Sequence, residues 1–159
     1  MQDSNPRKQS YGQRGFGGQR RDNRNREQSQ VSVAEWKSEN PFHEEWIKNG
    51  TDSEMITYAE KAGEFMAKND LTNSKIRSIY GEVKRIQMGK FEEKNASFLL
   101  LRPKVAYALG RDKYNKGLQL FKFIFDEASK SVSDQKTFNN FCNLFEAILA
   151  YHKSYGGKD

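Results

Sequence analysis

The sequence predicts an all-α fold, a compact bundle of about five helices with a disordered N-terminal tail. From residue 52 onward, apolar residues recur at the spacing of an amphipathic helix, and no segment shows the alternation of a strand. Residues 1–30 contain no Val, Ile or Leu, so they cannot bury enough surface to offset the entropy of ordering them. We therefore divide the chain into a disordered Arg/Gly-rich tail at 1–30, a linker with a possible short helix at 31–51, and a helical bundle domain at 52–159.

Much of the positive charge lies in the tail. The chain carries a formal net charge of +6, and residues 1–30 hold seven basic against three acidic residues, which leaves residues 31–159 at +2. A stretch around Phe16 mixes Arg, Gly and an aromatic ring, a composition suited to loose contact with single-stranded nucleic acid. A solubilising tail or an added extension explains the same composition. Any nucleic-acid surface of the folded part must therefore come from the placement of its cations.

The linker has the signals of one short helix. Asn40 and Pro41 fit the cap and the first position of a helix, and Gly50 fits its stop. We predict a helix from about Pro41 to Lys48 that docks on the bundle.

The first two long helices show clear caps. Asp52 or Ser53 caps a helix that ends at Asn69, and Thr72 caps a second helix that ends near Gly89. The third runs from about 93 to 110 and is apolar nearly all round, so it should be the central helix. Proline within a helix removes a backbone donor and clashes one turn back, so we expect a kink or a break near Pro103.

The last two helices complete the bundle. The fourth runs from about Lys113 to Lys130 with two apolar faces, one including Tyr114 and the other Phe123. Two such faces indicate deep burial or a protein partner, and we expect the second face to contact another copy or another subunit. The fifth begins after Ser133 and carries an unbroken apolar stripe.

The reactive side chains do not form a catalytic or metal-binding pattern. One cysteine and two histidines cannot build a Cys/His zinc site. Cys142 lies within an apolar stripe and is expected to be a small buried hydrophobe, and His152 a boundary residue satisfied by a hydrogen bond. We predict no catalytic residues, no metal and no cofactor. The absence of an apolar leader or an 18-residue apolar run favours a cytoplasmic protein without a membrane partner.

Basic residues along helix rims are the candidates for RNA binding, because such cations can track phosphates without reading bases. Arg77 and Lys84 are seven residues apart and lie on one flank of the second helix. A solvated polar face, which every surface helix needs, accounts for the same residues. The complete candidate set is Lys75, Arg77, Lys84, Arg85, Arg102, Lys104, Arg111 and Lys113.

Three stretches together resemble one protein family. They are Leu71–Arg77, the element Leu101–Arg111 with its Pro-Lys-Val-Ala-Tyr and Gly-Arg motifs, and Phe145–Lys153 followed by Tyr155-Gly156-Gly157. In order and spacing they resemble the small helical subunit of type III-A CRISPR effector (Csm) complexes. The resemblance covers about residues 52–159 and extends neither to the tail nor to the aromatic segment 31–50.

The resemblance implies an RNA-binding subunit without an activity of its own. Several copies would lie along the guide RNA–target RNA duplex, beside a backbone subunit and a large subunit, and hold target RNA through phosphates. By this resemblance, Lys75, Arg77, Lys104 and Arg111 are the best RNA contacts, and the segment around Glu146, Tyr151 and His152 consists of structural or interface residues.

Other functions remain open from the sequence. A free-standing single-stranded RNA-binding or chaperone protein would act through the Arg/Gly tail. A structural interaction protein would bind only other helices, and a small nuclease would need divalent metal.

Overall fold

The computed structural model describes residues 31–159, and the secondary structure of this part of the chain is entirely α-helical, which confirms the predicted fold class. The predicted disorder of residues 1–30 lies outside the described residues. The described part contains eight helices: α1 (Val33–Glu39), α2 (Glu45–Lys48), α3 (Ser53–Lys68), α4 (Asn73–Gln87), α5 (Phe91–Leu99), α6 (Leu101–Gly110), α7 (Lys116–Ser129) and α8 (Gln135–Ser154).

The linker forms two short helices where we predicted one. Ser32 caps α1 with a capping box. Asn40 ends this helix because its backbone, with φ −128° and ψ 82°, is outside the helical region, as is favoured for a residue before proline. The predicted helix start at Pro41 is therefore wrong, and α2 begins only at Glu45. The segment docks on the bundle through aromatic rings: Trp46 is buried and lies 4.8 Å, between ring centroids, from Tyr58 of α3.

The centre of the bundle is formed by α8 together with α3 and α7. The inner face of α8 carries fully buried phenylalanines, and Phe141 and Phe145 lie 4.7 Å apart between centroids. Helices α3 and α8 approach closely at Gly63, where an added Cβ atom would lie 2.7 Å from the Ile148 carbonyl oxygen. Only a residue without a side chain fits this crossing.

The third predicted helix breaks into α5 and α6 at Leu100, which confirms the expected interruption near Pro103. Pro103 is the third residue of α6, in the first turn, where backbone N–H groups have no partner within the helix. The expectation that this segment is central is wrong, because Leu99 and Leu100 are more than half exposed. It lies at the edge of the bundle, and composition alone does not distinguish an apolar edge from a core.

The second apolar face of the fourth predicted helix, now α7, is covered by the chain itself. Leu120 and Ile124 are fully buried, and the half-buried Phe123 lies under α1, with the Lys37 Nζ 4.3 Å from its ring centroid. The two-faced pattern reflects deep burial, and the expectation that this face contacts another copy or subunit is wrong.

The start of α7 also differs from the prediction. Asn115 caps the helix by accepting a hydrogen bond from the Leu118 amide at 2.9 Å. Tyr114, predicted to lie on the apolar face, precedes the cap and is 84% exposed. The Asn-Lys-Gly sequence after Tyr114 thus begins the helix.

Candidate nucleic-acid interface

Helix α4 carries four of the eight candidate cations, and two contacts fix its N-terminal end. The Thr72 hydroxyl caps its first turn at 3.3 Å from the Lys75 amide. The C-terminal residues return to the same turn, where the Asn73 amide donates to the Lys158 carbonyl at 2.6 Å. One face of α4 is buried through Ile76, Ile79, Tyr80, Val83 and Ile86. The basic residues are therefore placed along the two flanks of this stripe.

One flank of α4 faces α6 across a groove of about 640 Å³. The buried Ile79 and Leu101 contribute its apolar lining, and the exposed Tyr107 lies along it. Three predicted RNA contacts, Lys75, Lys104 and Arg111, line the same groove. We call this surface the α4–α6 groove. It brings together cations from the start of α4, the first turn of α6 and the C-terminal end of α6.

The carboxylates of the α4–α6 groove have partners of their own. Asp112 forms an ion pair with Lys75, and Glu82 lies 3.4 Å from Arg85. Among the ion pairs within residues 31–159, none involves Lys104 or Arg111. These two exposed cations are therefore the positive charge that the groove offers to an anion.

The other flank of α4 faces α8 across a smaller groove of about 310 Å³, which we call the α4–α8 groove. Arg77 and Lys84 both line it, as their spacing predicted. Its cations have acidic neighbours: Lys84 pairs with Glu146 at 2.7 Å. The Asp159 carboxylate has a lowered pKa, first through a hydrogen bond from Asn73 and then through nearby cations that include Arg77.

One cation of the α4–α8 groove, Lys153, is not among the predicted RNA contacts. Lys153 on α8 lines the groove, beside Leu149 four residues earlier. We had assigned this segment a structural or interface role. The spacing of four residues between Leu149 and Lys153 could have identified this cation, because it places Lys153 at the edge of the buried stripe of α8. Gly81 leaves this flank open, since a Cβ atom added there would meet no atom within 4 Å.

The remaining candidates lie outside both grooves. Arg102 points toward α7, with its Nε 3.7 Å from Asp126. Lys113 lies over the ring of Tyr114 at 5.5 Å in the turn before α7. Arg85 is 75% exposed beyond Glu82. The structure thus divides the predicted set into two flanks and three peripheral residues.

Cys142 and His152 are buried and line neither groove. Burial raises the pKa of the Cys142 thiol to about 12, so it stays protonated. His152 is 1% exposed, so the prediction of a boundary residue is wrong. The predicted hydrogen bond is present, with Nε2 2.7 Å from the Leu71 carbonyl oxygen, while the buried Nδ1 has no hydrogen-bond partner within residues 31–159. Within residues 31–159, no group of three or more His, Cys, Asp or Glu is placed to hold a metal ion. No helix of that same part is both long and apolar enough to span a bilayer.

Comparisons with known proteins agree with the resemblance. The family described as "Csm2 Type III-A" matches residues 50–158. A curated protein of Streptococcus thermophilus, "CRISPR system Cms protein Csm2", is 34% identical over 118 residues, which cover 69% of this chain and 97% of that protein. No solved structure matches. The chain therefore belongs to the Csm2 family of type III-A CRISPR systems.

Proposed function

We propose that this chain, a Csm2-family subunit of a type III-A CRISPR complex, binds RNA phosphates through the α4–α6 groove and stabilises target RNA without catalysing a reaction. Several copies lie along the guide RNA–target RNA duplex, in contact with one another and with the backbone and large subunits, in the cytoplasm. The supporting observation is the convergence of Lys75, Lys104 and Arg111 on one groove.

The α4–α6 groove is preferred over the other flank because it is larger, at about 640 Å³ against about 310 Å³. Ion pairing does not separate the two grooves, because each has one paired cation, Lys75 with Asp112 and Lys84 with Glu146. The ion pairs of residues 31–159 include neither the other two cations of the α4–α6 groove, Lys104 and Arg111, nor those of the α4–α8 groove, Arg77 and Lys153. Arg111 can also hold a phosphate through two parallel N–H donors.

The number of cations makes each copy a weak binder. Two phosphate contacts, one each at Lys104 and Arg111, give a slope of log K against log salt of about −1.4 to −1.8, by the rule of roughly −0.7 to −0.9 per phosphate. Several copies held side by side on one duplex convert weak contacts into avidity, since later contacts are intramolecular. This arithmetic supports a subunit that works in multiple copies.

The experiment is target-RNA binding by an assembled type III-A complex that carries Lys104→Gln with Arg111→Gln in this chain. The expected result is weaker binding at every target sequence and a shallower salt slope, because phosphate contacts carry no base specificity. The matched control is Lys136→Gln, an exposed lysine in the first turn of α8 that lines neither groove. Equal affinity and slope in all three complexes would refute the proposal.

The absence of catalysis is tested separately. Purified chain is incubated with labelled RNA and a divalent metal, and the RNA is expected to stay intact. Cleavage that depends on a residue of this chain would contradict the proposal.

A second function, free-standing binding of single-stranded RNA through the tail, is favoured by one observation. The family match begins at residue 50, so it leaves the Arg/Gly-rich residues 1–30 without a counterpart. Deleting residues 1–30 separates the two functions. The subunit proposal predicts that the shortened chain still joins a guide-RNA complex, whereas loss of all RNA binding together with loss of assembly would favour the tail.

A further inference from the structure

Tyr107 is an exposed aromatic ring on a groove built to attract anions. It is 68% exposed and lines the α4–α6 groove, and the guanidinium carbon of Arg111, one turn later on α6, lies 5.9 Å from its ring centroid. Burying such a ring would favour folding, so its exposure needs an explanation. An aromatic ring next to a cation is the pairing that proteins use to hold a base and its phosphate.

The size and lining of the groove also suit a small amphipathic ligand. Its volume of about 640 Å³ lies in the range of roughly 300–1,000 Å³ that small-molecule sites occupy. Apolar lining comes from Ile79, Leu101 and Ala108. Surfaces that bind phosphates alone need cations but no such apolar cavity.

Two cations of the groove lie on either side of Tyr107 along α6. Lys104 precedes Tyr107 by three residues and Arg111 follows it by four, so all three lie on one side of α6. Glu82 and Asp112 also line the groove, and each accepts an ion pair from a neighbouring cation. The remaining lone pairs of these two carboxylates can accept hydrogen bonds from the amino groups of a base.

We infer that the α4–α6 groove holds one unpaired RNA nucleotide, with its base stacked on Tyr107 and its phosphate on Lys104 and Arg111. The inference rests on the proposed function, since the same cations hold phosphate in both. It adds a site for the base, which phosphate contacts do not require. A paired base cannot enter, because both of its faces are already stacked in the duplex.

The test uses the full-length chain and a single-stranded oligoribonucleotide with one 2-aminopurine, whose fluorescence falls when the base stacks on an aromatic ring. Binding is expected to quench the fluorescence, and the same oligomer in a fully paired duplex is expected to show no further quenching. Tyr107→Ala is expected to abolish the quenching and to weaken single-strand binding about 5- to 150-fold, the range that base–aromatic stacking spans. Tyr107→Phe is expected to retain both.

Tyr114→Ala is the matched control, because Tyr114 is likewise exposed and lies near Lys113 but lines no part of the groove. Quenching that persists in Tyr107→Ala, or that is lost equally in Tyr114→Ala, overturns the nucleotide site. If Arg111→Gln weakens binding while Tyr107→Ala leaves the quenching unchanged, the base site is refuted and the phosphate proposal stands. If neither variant changes anything, both are refuted.

Discussion

Replacing Gly63 by alanine tests the central packing of the bundle. In the α3–α8 crossing, a Cβ atom at Gly63 would lie 2.7 Å from three atoms of α8: the Ile148 carbonyl oxygen, the His152 amide nitrogen and the Tyr151 Cβ. Two of these are backbone atoms inside a long helix, so they cannot rotate away. Accepting the methyl group therefore requires the two helices to separate.

The magnitude follows from two opposing contributions. Alanine in place of glycine inside a helix stabilises by about 0.5–1 kcal/mol, whereas overpacking a well-packed core costs about 1–3 kcal/mol. Contact with fixed backbone places Gly63→Ala toward the upper end of that cost, so we expect a net loss of about 1–2 kcal/mol. Gly81→Ala is the matched control, because nothing lies within 4 Å of its added Cβ and only the stabilising contribution remains.

The assay is chemical denaturation of both variants and the parent chain, followed by far-UV circular dichroism. We expect Gly63→Ala to unfold at lower denaturant than the parent, and Gly81→Ala at equal or higher denaturant. The difference between the two variants should be about 1.5–3 kcal/mol. Equal stability of the two variants would refute the close approach of α3 and α8.

Three further predictions address the cap, the groove and the buried thiol. Asn115→Ala should lower the free energy of unfolding by about 1–3 kcal/mol in denaturation, because it removes the α7 cap and leaves the Asp70 carbonyl and the Asp112 carboxylate without this donor; an unchanged free energy of unfolding would contradict the role of this cap. Asp112→Asn should strengthen RNA binding, because it releases Lys75 to contact one more phosphate. The slope of log K against log salt should then steepen by up to about 0.7–0.9, the value for one phosphate contact; an unchanged slope would mean that Lys75 does not face RNA. For Cys142, the folded-state pKa is raised above the ordinary 9.0 to about 12, so its contribution to stability is full below pH 9 and is lost as pH rises toward 12. Ionisation of this thiol should lower the free energy of unfolding by about 1.4 kcal/mol per pH unit above pH 9. In denaturation at several pH values, Cys142→Ala should lack this part of the decrease.

The parts of the fold that the sequence predicted correctly are those set by local chemistry. Apolar spacing and caps identified the long helices, with Asp52 and Thr72 as the caps of α3 and α4. The break near Pro103 followed from the missing backbone donor. These signals act within one or two turns, so they can be recognised without knowledge of the tertiary structure.

The incorrect predictions concern which apolar side chains are covered by other parts of the chain. We predicted that Leu99 and Leu100 belong to the central helix because they are apolar, but both are exposed at the break between α5 and α6. We predicted that Phe123 contacts another protein, but α1 of the same chain packs over it. In both cases, the outcome depends on a distant part of the chain, and periodicity contains no information about it.

The candidate site was predicted in part for the same reason. Periodicity identified the basic residues of the site, and we predicted one set of RNA contacts that included Arg77 and Lys104. In the structure, these two residues line different grooves, on opposite flanks of α4. Tyr107 was counted only within a family motif. Its role as an exposed ring beside Arg111 needed the distance between them.

Lysine footprinting of an assembled type III-A complex, with and without bound target RNA, tests the central claim most directly. An amine-reactive reagent labels exposed lysines, and mass spectrometry measures the labelling at each position. We predict that target RNA protects Lys104 in the α4–α6 groove and leaves Lys136 on α8 as reactive as before. Unchanged labelling of Lys104 together with protection of Lys153 would contradict the account, because it would place RNA on the α4–α8 groove.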